Sequence, residues 1–407
     1  MPAPEELVEH LFRHQAGRMV STLTRILGPR NLQLAEDVVQ EALVRALELW
    51  PHRGIPANPP AWLIEVARNR ALDVLRREAS LAAKADELTR VFSAAVAGSE
   101  GMDDQLAMIF LCAHPAIPHE ARVALTLKTV CGFSTSEIAR AFLIQEPAAA
   151  QRIVRAKRMV RDLNFALPED GELLARRESV LEVLYLMFNE GYTRHAPDLC
   201  EEAIRLGTLV ADHPAAGAPE VDALLALFLL QFARTPARID AQGDLFLLAD
   251  QDRGLWDAGR ISNGMRRLDR SAAGDRITKY HLEAAIAAAH ATAADFASTD
   301  WGFIVDQYDQ LYALNPSPVI ALNRAVAISR AEGPARGLRA LAAIEHHPAL
   351  AGYYLLHATR GRLYEELGDR VSAALCYARA LECGCSPAER RFLERQVTEP
   401  RPLGSGR

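Results

Sequence analysis

An all-α fold is predicted, with two small helical domains followed by a long helical array, and three observations carry it. Ala and Leu dominate, aromatic residues make up only 6%, and Val, Ile and Thr form no alternating runs of the kind a sheet requires. Pro and Gly punctuate the chain at intervals suited to helix ends. At 407 residues, half of them hydrophobic, the chain is too long for one core and too apolar for disorder, so two or three domains are expected.

Residues 5–50 read as helix, with Leu7, Leu11, Met19 and Leu23 on one face and a break at Gly28-Pro29. Asn31 can cap the next helix, in which Leu34, Val38, Ala42 and Leu49 form a stripe opposite a polar face of Glu36, Asp37, Gln40 and Glu41. Pro51 is expected to end it. Gly54-Ile-Pro-Ala-Asn-Pro-Pro60 is a semi-rigid loop. A third helix runs from about Ala61 to Ser80 and presents Trp62, Arg68, Asn69, Arg70, Arg76 and Arg77. Residues 79–103 read as a linker.

A second helical block extends from about Gln105 to Leu163. In it, a short helix Thr135–Phe142 opens on Ser/Thr, Leu143-Ile144-Gln145 turns, and a helix from Pro147 to about Asp162 follows. A short helix, a tight turn and a basic helix make the helix-turn-helix layout, in which the second helix enters the major groove. Ala139 is small enough for the two helices to pack closely.

Charge is unevenly placed. The chain has a net charge of −6, with 46 basic side chains, of which only four are lysines, and 52 acidic ones. Residues 1–165 nevertheless carry +1 and residues 166–407 carry −7. Arg152-Ile-Val-Arg155-Ala-Lys157-Arg158-Met-Val-Arg161 holds five cations and no acid. Such density is the footprint of a helix that approaches phosphates, and charge alone leaves a solvated helix face equally open.

After Pro168-Glu-Asp-Gly171, successive Ala/Leu-rich helices run to Val397. Gly361, Tyr364, Gly368, Ala373, Tyr377 and Ala380 fall at tetratricopeptide positions, with a weaker copy across Val319–Pro348 in which Gly333 lies 35 residues before Gly368. Residues 175–300 show no repeat. Leu186–Tyr192 and the segment from Asp300 are distinctive and are assigned only packing or domain contact.

The longest apolar stretch, Ala223–Leu230, is far shorter than a membrane span, and the N-terminus lacks a signal-peptide core, so a cytoplasmic protein is expected. The six cysteines are scattered and a disulfide framework is not expected. Asp250, Asp252 and Asp257, and likewise Cys112, His114 and His119, have ligand-like spacing without the frame of a metal site. No GxxxxGK[ST], GxGxxG, GxSxG or HExxH occurs. No metal, cofactor or catalytic residue is assigned.

Ala35-Glu-Asp-Val-Val-Gln-Glu41-Ala-Leu-Val-Arg45 followed by Ala61-Trp-Leu-Ile-Glu-Val-Ala-Arg-Asn-Arg-Ala-Leu-Asp-Val-Leu-Arg-Arg77 resembles region two of extracytoplasmic-function sigma factors of bacterial RNA polymerase. Ile138-Ala-Arg-Ala-Phe with Gln151-Arg-Ile-Val-Arg-Ala-Lys-Arg158 resembles their region four. The remaining residues resemble the tetratricopeptide-like extension of one subgroup. This resemblance implies a region-two domain at 1–80, a linker at 81–103, a region-four domain at 104–165 and an extension at 172–398.

It further implies that Glu36, Asp37, Gln40 and Glu41 dock on core polymerase. Trp62, Arg68, Asn69, Arg76 and Arg77 take the −10 element, where an extruded base needs a pocket and the single strand needs cations; Trp62 by itself reads as core rather than as a stacking platform. Gln151, Arg152 and Arg155 would face base edges at the −35 element, with Lys157 and Arg158 on phosphates. Ala148, Ala149 and Ala150 stand where many members have Thr-Val-Lys, so the −35 reading departs from the pattern there. The expected protein is a non-enzymatic promoter-specificity subunit whose acidic extension touches and controls the sigma domains. A tetratricopeptide scaffold tethered by its N-terminal helices is the alternative.

Overall fold

In a computed structural model the described residues, 4–77, 101–142, 144–168, 170–240 and 244–398, form helices and no strand; a lone antiparallel bridge joins Ile239 and Leu245. They divide into two compact units, Met1–Ala216 and Gly217–Arg407.

The first unit opens with α1 (Pro4–Leu27), which stops at Gly28, where φ is 82°. Asn31 does not cap the next helix: its Nδ2 turns back and donates to the Leu27 carbonyl (2.7 Å), closing α1 instead. Helix α2 (Leu32–Arg53) buries Leu32, Ala35, Val38, Val39, Ala42, Leu43, Ala46 and Trp50. It continues past Pro51, contrary to expectation. A proline in the last turn forfeits one backbone bond only, and the exit is made by Gly54 at φ 82°, whose N–H bonds to the Trp50 carbonyl (3.0 Å). Asn58 Oδ1 accepts from Ala61 N (3.2 Å) at the start of α3 (Pro59–Arg77), and Pro59 and Pro60 fill first-turn positions that need no donor. Residues 78–100, most of the expected linker, lie outside the described residues.

Helices α4 (Gly101–Cys112), α5 (His119–Thr129), α6 (Thr135–Ala141) and α7 (Glu146–Val160) follow. Phe110, Met108, Ile109 and Leu106 of α4 are fully buried. Two more helices belong to this unit, α8 (Asp170–Thr193) and α9 (Pro197–Asp212). Helix α8 packs on α4 and α5. Arg176 donates to the Phe110 carbonyl (3.0 Å) and Arg122 to Ser179 Oγ (3.2 Å), while Arg205 of α9 reaches Gln105 Oε1 (3.2 Å).

The first three helices and the next four meet closely. Thr22 Oγ1 donates to Asp104 (2.9 Å), and a Cβ built on Gly17 falls 1.8 Å from the Val130 carbonyl oxygen, so only glycine permits this approach of α1 to the end of α5.

The second unit runs through α10 (Pro219–Phe232), α11 (Ala258–Ser271), α12 (Lys279–Thr292), α13 (Trp301–Leu314), α14 (Pro318–Glu332), α15 (Pro334–Ala342), α16 (Tyr354–Glu366), α17 (Arg370–Glu382) and α18 (Pro387–Thr398). The apolar run at Ala223–Leu230 is a helix buried all round, and a buried ion pair from Arg267 to Asp222 (2.9 Å) joins α11 to α10. No helix among the described residues is long and apolar enough to cross a membrane.

The repeat letters act as packing predicts. A Cβ on Gly361 would lie 2.8 Å from the Tyr377 ring, Gly368 turns between α16 and α17 at φ 82°, and Ala373, Tyr377 and Ala380 are buried. Gly333 repeats the turn between α14 and α15 at φ 94°.

His290 of α12 lies against Trp301 (5.2 Å between rings), and burial, aided by Arg234 and Arg253, lowers its pKa from 6.5 to about 4. The unfolded chain therefore binds the proton more readily between those values, and stability falls as pH drops through that window. The contribution is on the order of 2 kcal/mol. His290→Gln should flatten the fall of thermal stability between pH 6.5 and 4.5; His114, His281 and His357, which burial shifts the same way, contribute to the residual slope.

Candidate nucleic-acid and polymerase interfaces

Helices α6 and α7 form a helix-turn-helix, and local chemistry explains it. Ser134 and Glu137 make a reciprocal cap, Glu137 N donating to Ser134 Oγ (3.1 Å) and Ser134 N to Glu137 Oε2 (2.7 Å). The turn closes through Ile144 N to the Ala139 carbonyl (3.0 Å), and Pro147 sits in the first turn of α7. Ala149, Ile153, Ala156 and Val160 face inward. Ala149 is fully buried, so a small residue there serves packing.

The outward face of α7 carries Gln151, Val154, Arg155 and Arg158, all exposed. Of the five residues assigned to the −35 element, two are engaged within the protein. Arg152 pairs with Glu120 of α5 (3.0 Å). Lys157 donates to Glu36 and to Gln33 Oε1 (2.8 Å), both of the α2 helix. Val154, 48% exposed, escaped the sequence reading; its signal is an apolar residue on the otherwise polar face of a basic helix. A valine in that place suits the methyl group of thymine.

On α2, Asp37, Gln40 and Glu41 are exposed, and Gln33 donates to Asp37 (2.7 Å). With Val44, Arg45, Glu48, Val66, Asn69, Arg70 and Asp73 they line a groove of about 920 Å3 between α2 and α3, four acids against two arginines, bridged by the Arg70–Glu41 ion pair. Val44 and Glu48 were not predicted; they lie one and two turns beyond Gln40, and 54% exposure of a valine marks the face. Glu36 points away from this groove. It is 6% exposed and accepts from Thr129 Oγ1 (3.0 Å) as well as from Lys157. One helical step of about 100° separates its direction from that of Asp37.

Of the residues assigned to the −10 element, Trp62 is half-buried, edge-on to Trp50 at 5.5 Å, and Arg68 donates to Asn69 Oδ1 (3.1 Å). Asn69 is exposed and belongs to the α2–α3 groove. Arg76 and Arg77 end α3, and their side chains lie outside the described residues.

Two of the three ligand-like acids act as caps: Asp252 accepts from Gly254 N and Asp257 from Arg260 N. Cys112 is fully buried, and burial raises its thiol pKa strongly. Among the described residues no cluster of three or more His, Cys, Asp or Glu side chains is placed to hold a metal.

Comparison with known proteins adds three family matches. Residues 11–80 match sigma-70 region 2, residues 107–160 match sigma-70 region 4, and residues 176–272 match a family of unknown function (DUF6596). An uncharacterized protein of Rhizobium meliloti (strain 1021) is 39% identical over 385 residues, 90% of each chain. No solved structure matches.

Proposed function

Because this chain belongs to the extracytoplasmic-function-like sigma factors with a C-terminal extension, we propose that it binds core RNA polymerase through the α2–α3 groove and reads its promoters through α3 and α7. The observation that carries the reading is the outward face of α7, where Gln151, Val154, Arg155 and Arg158 stand side by side and free of the core. Arg155 and Gln151 suit purine edges, Arg158 the phosphates. Asp37, Gln40, Glu41 and Glu48 give the groove an acidic wall for a basic polymerase surface, and Val44 gives it an apolar contact. Arg68 and Asn69 serve the single strand of the −10 element.

The arrangement of the first unit is then a resting state. Elements some 25 base pairs apart are about 85 Å apart along the duplex axis. Helix α7, bonded through Lys157 to Glu36 of α2, cannot reach one element while α3 holds the other. Regions two and four must part on the promoter, releasing Lys157 for a phosphate and Glu36 for the polymerase. The extension bears on this step, since α8 is bonded to α4 and α5 through Arg176, Arg122 and Ser179.

Arg155→Glu tests the reading more cleanly than a change at Arg152, which is already paired with Glu120. The variant should lose about tenfold or more of promoter-specific run-off transcript while keeping wild-type affinity for core polymerase. Undiminished transcription would remove α7 from promoter recognition, and lost core binding would assign Arg155 to the polymerase.

A further inference from the structure

The second unit contains a half-open cavity of about 430 Å3. One wall is made by α14 and α16, the first helices of two successive antiparallel pairs, and by the last helix α18, through Ser329 and Arg330, Ala358 and Arg362, and Phe392. In a helical repeat array this inner surface is an open channel suited to an extended peptide. Here the chain covers it with its own residues 244–249, from which Phe246, Leu247 and Leu248 point into the space.

That cover is tied down. Asp244 accepts from Arg391 Nε (2.9 Å) and from Arg395, both on α18, Phe246 N donates to the Arg238 carbonyl (2.9 Å), and Gln251 Nε2 to the Phe246 carbonyl (3.2 Å). The Arg391 hydrogen bond, with Arg395, holds the Asp244 carboxyl below the usual carboxylate range, so the tether is charged at neutral pH.

Covering excludes a peptide strand and leaves a chamber of the size that small molecules occupy. Its walls are aromatic, with Phe246, Phe296, Trp301, Tyr354 and Phe392 converging. Its polar groups are mainly donors. Arg330 and Arg362 both bond to Glu366 Oε1 (2.8 and 3.0 Å) behind the wall, with Glu365 also 4.0 Å from Arg362; this fixes each guanidinium, whose five N–H donors leave further ones to offer. The one lining carboxylate, Glu389, is engaged by the Tyr354 hydroxyl and by Ser386 N (2.7 Å). Aromatic walls with oriented guanidinium donors suit a flat apolar body carrying an anionic acceptor.

We propose that the second unit is a receptor for a small aromatic anion, bound in this chamber with its acidic group on Arg330 and Arg362. The site is independent of promoter reading, and its test reads binding alone.

The full chain is titrated with 1-anilinonaphthalene-8-sulfonate, an aromatic anion, and with its uncharged analogue N-phenyl-1-naphthylamine. Saturable binding of one sulfonate per chain is expected. Ala358→Phe, which fills the chamber, should abolish binding of both probes. Arg330→Gln should weaken the sulfonate about tenfold and leave the neutral probe within about twofold. Circular dichroism checks that each variant is folded, and Thr359→Phe, at a partly exposed lining position, replaces Ala358→Phe if the latter is not. Absent or non-saturable binding, or binding indifferent to the filling substitutions, overturns the chamber as a site. Equal weakening of both probes by Arg330→Gln overturns the anionic character of its ligand.

Discussion

A chain cut after residue 170 should fail to fold, whereas one cut after Ala216 should fold. The first cut follows the family boundary of region four and removes α8 and α9. Those helices bury Val180, Leu181, Val183, Leu184, Met187, Phe188, Leu199, Cys200, Ala203 and Leu206, and they lie against α4 and α5. Losing a few such side chains, at about 1.5–3 kcal/mol each, removes as much as the net stability of a domain. It also strips partners from Arg122 and exposes the Phe110 carbonyl. Circular dichroism and urea melts of the two fragments distinguish them: a cooperative transition in 1–216 and none in 1–170. Comparing 1–216 with the full chain in run-off transcription then gives the sign of the second unit's effect, and equal transcription would deny it any control.

Gly17→Ala should pry regions two and four apart. The added methyl meets the backbone carbonyl of Val130, which cannot move without α5, while alanine itself favours helix α1 by about 1 kcal/mol over glycine. Region two thus keeps its fold and loses its partner. Hydrogen exchange should quicken at Leu127–Val130, and affinity for core polymerase should rise several-fold, because a binding-competent state populated by a minority of molecules weakens apparent affinity by that fraction. Lys157→Gln reaches the same end by removing the charge that holds Glu36, and it leaves the polymerase-facing acids in place. Faster exchange with unchanged core affinity would show that the packed arrangement does not limit assembly.

The sequence revealed what is local. Helix positions follow from Pro and Gly spacing and from stripes such as Leu34, Val38 and Ala42, and the helix-turn-helix follows from the Ser/Thr start at Thr135, the turn and Pro147, while the cap itself falls to Ser134 and Glu137. What it could not reveal depends on partners remote in the chain. Glu36 and Asp37 look alike as letters on a polar face, yet Lys157, 121 residues away, takes one of them into the interior. Arg152 and Arg155 are equivalent in the basic decapeptide until Glu120 is seen beside the first. The boundary after residue 165 looked natural because Pro168 and Gly171 interrupt the pattern there, but the contacts of α8 with α4 and α5 run across it. The chamber in the second unit was invisible for the same reason: residues 244–249 meet α16 and α18 only in the fold.

Run-off transcription with purified core polymerase on the DNA upstream of this protein's own coding region tests the central claim most directly. Core polymerase alone should give no defined transcript, and adding the full chain should give one of fixed start, lost in the Arg155→Glu variant. No transcript on any genomic fragment, together with no retention of the chain by core polymerase, would contradict the account and leave a helical scaffold in its place.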